Sequence, residues 1–109
     1  MKLTKAKSKE LGESFAKLLE QPENFMVISS DFCHWGKRFR YTYYDPESGP
    51  IYKSIQKLDT LGMDAISSLD PDVYWNYQKK YKNTICGRNP ISILLNVSNS
   101  IELTNDNLN

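Results

Sequence analysis

The chain has 109 residues, enough for one domain and too few for two. With 14 Lys and Arg against 13 Asp and Glu, its charge is nearly balanced, which removes any global argument for nucleic-acid or membrane binding. No apolar run approaches the ~18 residues of a bilayer span, and the basic start "MKLTKAKSKELGES" lacks the apolar stretch of a secretory signal. The expectation is therefore a cytoplasmic or nuclear protein in which Cys33 and Cys86 are thiols rather than a disulfide.

In chain order, Lys5 to Glu20 places Leu11, Phe15, Leu18 and Leu19 at helical spacing, with Lys and Glu elsewhere, and predicts an amphipathic helix closed by "QPEN". "FMVISS", Phe25 to Ser30, is an apolar run without alternation and predicts a strand buried on both faces, as in a parallel sheet. "DPESGP" is a loop punctuated by Pro and Gly. Beyond it, Ile51, Ile55 and Leu58 make one helical stripe. Met63, Ile66 and Leu69 make a second, with Asp59 as its cap and Gly62 weakening it. "LDPDVYWNYQKKY" predicts a helix with Asp70 as N-cap and Pro71 in its first turn. Asn89 and Pro90 signal a last helix over "ISILLNVSNSI", and the polar end, residues 97–109, reads as a frayed tail. The inventory is mostly helix around one central strand. Such a strand needs neighbours on both edges and the sequence offers no convincing second one, so the chain is expected to be part of a larger α/β unit or to pair with another chain.

Candidate chemistry gathers in "DFCHWG", just past the end of the predicted strand, where α/β sheets place their ligands. Imidazole is the commonest metal ligand among side chains and also a general base, so His34 stands out; the plainer reading is a His hydrogen-bonded in a polar corner. Cys86, in "NTICGRNP", precedes a helix N-terminus whose amides favour a thiolate, a soft metal ligand or nucleophile. Its plainer reading is a half-buried Cys acting as a small hydrophobe. A structural zinc site takes four Cys or His ligands, and the chain has two Cys and one His in all. A site from His34, Cys86 and a carboxylate, or a Cys86–His34 nucleophile and base pair, would require the fold to bring the two together. The run "GKRFRYTYY" interleaves Lys37, Arg38 and Arg40 with rings that stack bases or grip phosphate, but a packed aromatic corner explains it better. No Gly-rich phosphate loop and no paired-carboxylate signature is present.

Taken together, "FMVISSDFCHWGKRFRYTYYD", "IYKSIQKLDTLGMDAISSLDP" and "YQKKYKNTICGRNPISILLN" resemble the second half of the Memo family, named for a mediator of receptor-tyrosine-kinase-driven cell motility. The resemblance runs from about Phe15 to Asn96; the closing "SNSIELTNDNLN" departs from the pattern, as does Asn89, where animal members often carry His. The family is similar to LigB-type class III extradiol dioxygenases, so the resemblance implies an α/β fold with a metal-type pocket, represented here by a partial, mostly helical unit with one or two buried parallel strands. It implies that His34 and Cys86 line that pocket as metal ligands for iron or copper, with Asp31 and Cys33 beside them. Two further His ligands are expected from the first half of the full-length protein, which leaves the site incomplete here and independent catalysis unexpected. The resemblance implies a truncated relative of signalling, motility or redox-control proteins. The alternatives are a metal-dependent oxidoreductase completed by a partner chain, or an interaction module whose Arg38 and Arg40 contact a phosphotyrosine-bearing receptor or signalling protein. A complementing chain or self-association is expected, and neither nucleic acid nor membrane is.

Overall fold

Helices make up most of the chain in the computed structural model, which describes residues 2–108, with side chains described through Glu102. Helix α1, Lys5–Leu19, starts where the Thr4 side chain accepts a hydrogen bond from the Lys7 amide. Its buried residues are Ser8, Gly12 and Ala16, one small side chain per turn, and this stripe lies against helix α4, Arg88–Leu108. The Ser8 and Ser92 hydroxyls meet at 2.7 Å, and Asn96 Nδ2 donates to Ser8 Oγ at 3.1 Å. The contact is thus close and partly polar. The expected apolar face lies to one side of it: Leu11 and Leu19 are half-buried, while Phe15 and Leu18 are exposed.

The predicted strand is not formed. Residues 24–35 are extended or irregular, Phe25 and Val27 are 83% and 78% exposed, and the β-pairing among the described residues is a single antiparallel bridge, Gly36 to Tyr41. The reason is the one that made the inventory look short: a strand is held by neighbours that accept and donate along its edges, and the described residues supply none. The observed architecture is mostly helical, and the one or two buried parallel strands expected here are absent from the described residues.

Helix α2, Ile51–Ser67, runs unbroken through the point where two pieces were expected. Asp59 is no cap. Its carboxylate accepts from Asn83 Nδ2 at 2.8 Å and from the Cys33 amide at 3.4 Å, so it ties α2 to two loops. Gly62 is in the helix because Tyr77 lies against it: a Cβ there would sit 2.9 Å from the Tyr77 hydroxyl oxygen. Helix α3, Pro71–Tyr81, begins as expected, with Asp70 accepting from the Asp72 amide and Pro71 in the first turn. It ends at Lys82 in the left-handed conformation.

The core is the junction of α2, α3 and α4, where Leu58, Ala65, Tyr74, Tyr77, Ile85, Ile91 and Leu95 are buried together. Ile28, Phe32, Cys33 and Tyr41 pack against it from the irregular segment. Tyr77 donates to the Leu58 carbonyl at 2.7 Å and accepts from Asn83 Nδ2 at 2.9 Å, and burial pushes its phenol up to about 12. The closing segment, expected to be a frayed tail, continues α4 to Leu108, with Val97 buried. Among the described residues no helix is long and apolar enough to cross a membrane.

Candidate functional site

Two irregular segments that are far apart in sequence, Ser30 to His34 and Asn83 to Gly87, lie side by side and carry both residues that the sequence singled out. At one end the Cys86 amide donates to the Asp31 carbonyl at 3.3 Å, and the Asp31 amide points at Cys86 Sγ at 3.2 Å. At the other end Thr84 clamps His34 by its backbone. The Thr84 hydroxyl accepts from the His34 amide at 2.7 Å and donates to the His34 carbonyl at 2.8 Å. Ser30 closes the join, its hydroxyl accepting from the Gly87 amide at 2.9 Å. Only glycine fits at Gly87, because a Cβ would come within 2.6 Å of Ser30 Cβ. That explains the glycine after Cys86 in "NTICG".

Both cysteines are free. Cys86 is exposed, and its thiol is held below the ordinary range, first by the Asp31 amide and then by the Ser30 hydroxyl, 3.7 Å from Sγ. The helix N-terminus proposed from the sequence is a lesser contributor: α4 begins two residues later, and the donor that matters comes from the facing segment. Cys33 behaves oppositely. It is half-buried against the core, and burial pushes its thiol up despite a hydrogen bond to Thr84. His34 is half-buried, its ring 5.2 Å from that of Phe39. Asp31 is exposed and takes part through its backbone. Arg38 and Arg40 are exposed on the turn Lys37–Phe39 and just after it, with the Arg38 guanidinium 5.6 Å from the Phe39 ring centre and Arg40 in the left-handed region.

The fold thus joins the segments carrying His34 and Cys86 and places Asp31 and Cys33 beside them, with the two arginines on a separate, outward turn. Sequence reasoning missed the residues that make the join, Ser30, Asp59, Asn83 and Thr84. Asn83 and Thr84 stood inside the quoted "NTICGRNP", where two uncharged polar residues directly before the apolar Ile85 were the available signal. The donor set does not fit a metal by itself: no group of three or more His, Cys, Asp or Glu side chains able to hold an ion occurs among the described residues. The chemistry that remains is that of an accessible, thiolate-leaning sulfur next to an imidazole-bearing strand of backbone.

Comparison with known proteins agrees with the motifs. Over 106 residues the chain is 54% identical to Protein MEMO1 of Xenopus laevis and 52% identical to Protein MEMO1 of Homo sapiens, covering 97% of this chain and 36% of each of those proteins. It is 49% identical over 96 residues to Protein memo-1 homolog of Caenorhabditis elegans, covering 87% of this chain and 27% of that protein. The chain therefore spans about a third of the length of these relatives. The family profile described as Memo-like protein matches residues 1–108, which extends the likeness at both ends beyond the Phe15 to Asn96 stretch expected from the motifs and takes in the closing segment. The chain belongs to the Memo family.

Proposed function

We propose that this chain supplies one wall of a shared pocket, the wall that carries His34 and Cys86, and that the remaining donors come from sequence outside these 109 residues. The observation that carries the reading is the hydrogen-bonded join of Ser30–His34 to Asn83–Gly87, which fixes both donor-bearing segments while leaving Cys86 accessible and biased toward thiolate. A pocket of the LigB-like α/β type, completed by two further His, would hold iron or copper; the present chain holds two of the four donors and is not expected to act as an enzyme alone. In this reading the whole protein works in signalling or redox control, and the segment Phe25 to Ser30 is a strand waiting for its sheet.

Titration of the 109-residue chain with Fe(II) or Cu(I) tests the proposal. Weak binding that is lost in His34→Ala and in Cys86→Ser is expected. A tight, stoichiometric complex that survives His34→Ala contradicts it. A second reading rests on Arg38 and Arg40, which are exposed and make no ion pair among the described residues: they bind a phosphotyrosine-bearing peptide. Equal affinity for the phosphorylated and unphosphorylated peptide removes it.

A further inference from the structure

The run "HWGKRFRY" brings an aromatic ring back onto His34, and each step of its path has a physical reason. Gly36, two residues past His34, takes φ +124°, a conformation that side chains rarely adopt. From there the chain turns through Lys37–Phe39 and returns. The Gly36 amide donates to the Tyr41 carbonyl at 2.7 Å, and the Tyr41 amide donates back to the Gly36 carbonyl at 3.2 Å. Inside this closed loop the Phe39 amide donates to the Gly36 carbonyl at 3.0 Å and the Arg40 amide to the Lys37 carbonyl at 3.1 Å. The loop is fastened from outside as well. The Tyr41 hydroxyl donates to the Tyr81 carbonyl at 2.7 Å, at the end of α3, and Trp35 Nε1 donates to the Tyr43 carbonyl at 2.8 Å.

This path leaves the Phe39 ring centre 5.2 Å from that of the His34 imidazole, with the two planes inclined by 52°. That separation lies within the range of attractive ring pairs. Phe39 is nevertheless 44% exposed and takes no part in the buried core, so core packing does not explain its place. The Arg38 guanidinium lies over the same ring, 5.6 Å from its centre. On the His34 side, the Thr84 hydroxyl holds the backbone amide and carbonyl. A histidine that serves as a ligand or base is ordinarily oriented by a hydrogen bond to its second ring nitrogen. Among the described residues neither ring nitrogen has such a partner, and the ring that lies against the imidazole is Phe39.

We propose that Phe39 is a positioning residue for His34. It holds the imidazole in one orientation by ring contact and leaves both nitrogens unclaimed for whatever completes the pocket. This role rests on the reading of His34 as part of a pocket wall, and it supplies what orients the side chain there. It also gives the aromatic and basic run a purpose: a closed turn whose arginines are exposed and whose phenyl ring returns to His34.

His34 is the only histidine in the chain, so histidine labelled with 13C in its ring reports on this residue alone. Carbon relaxation is measured on the 109-residue chain in EDTA, with circular dichroism confirming that each variant is folded. A ring order parameter of about 0.8 is expected in the native chain and below about 0.6 in Phe39→Ala, with Phe39→Tyr keeping the native value. Gly36→Ala alters neither ring, and its added Cβ would meet open space. It should still lower the order parameter, because it opposes the backbone turn that returns Phe39. In all three variants the His34 amide should stay protected from hydrogen exchange by its bond to Thr84. An imidazole equally ordered without Phe39, or mobile in the native chain, overturns the proposal. So does loss of amide protection together with ring order, which marks a residue that merely supports the fold. No metal takes part in the measurement, so a failed Fe(II) or Cu(I) titration removes the pocket reading and leaves the orientation of His34 standing.

Discussion

At the scale of single residues, two cysteines of the same type are driven in opposite directions by what donates to them and what buries them. Cys86 receives the Asp31 amide and lies near the Ser30 hydroxyl, so its thiolate is favoured; Cys33 is set against the core, so its thiol is favoured. The sign is testable. Iodoacetamide should modify Cys86 first, with a pH midpoint below the ~8.5 of a free thiol, because a lowered value leaves more thiolate at any given pH. Ser30→Ala should move that midpoint upward, since the lost hydroxyl favoured the anion. A midpoint unchanged by Ser30→Ala would show that Ser30 serves the backbone join alone. Asn83 is the other decisive residue, donating at once to Asp59 and to Tyr77. Asn83→Leu removes both donors and leaves a half-buried carboxylate and a buried phenol short of partners. A loss of about 2–3 kcal/mol is expected in urea unfolding.

At the scale of elements, periodicity placed helix in each region where the four helices lie, although α2 was expected in two pieces; local rules go far here, since Thr4 and Asp70 accept first-turn amides and Pro71 takes a position whose amide has no helical partner. What the rules could not reach was which face a helix buries. Leu11, Phe15, Leu18 and Leu19 formed the obvious stripe on α1, yet Ser8, Gly12 and Ala16 meet α4, since only small side chains permit that close, hydrogen-bonded approach. The strand failed for a different reason. Its apolar run is a request for neighbours, and neighbours are a property of the surrounding chain rather than of the run itself. The site shows the same division. His34 and Cys86 were legible by residue type and motif, while Ser30 and Thr84, which join their segments, became visible only when the segments met. Ser8→Val should cost about 1–3 kcal/mol by overpacking the α1–α4 contact, whereas Leu18→Ser on the outward face should change thermal unfolding by less than about 0.5 kcal/mol. The reverse order would mean that α1 buries the face its sequence advertises.

At the scale of the whole molecule, the piece is looser than its length requires. Its radius of gyration is 15.7 Å and its extents are 50 × 29 × 25 Å, against about 13 Å for a compact domain of this size. Phe15, Leu18, Phe25 and Val27 are all exposed, and the chain spans 36% of relatives such as the Xenopus laevis protein. These observations belong together, since apolar side chains on the outward face of α1 and on an unpaired extended segment are what a covering partner surface would bury. The isolated chain should therefore self-associate, and sedimentation should show a shift toward monomer in Phe25→Ser, Val27→Ser. A wild-type chain that remains monomeric at high concentration would contradict this. Whether His34 and Cys86 form one wall of a pocket finished elsewhere is read out by metal protection of Cys86 from alkylation. The measurement compares the 109-residue chain with the same chain fused to the rest of the Xenopus laevis protein. Strong protection by Fe(II) or Cu(I) in the fused protein and little in the short chain is predicted; equal protection in both, or none in either, would contradict it.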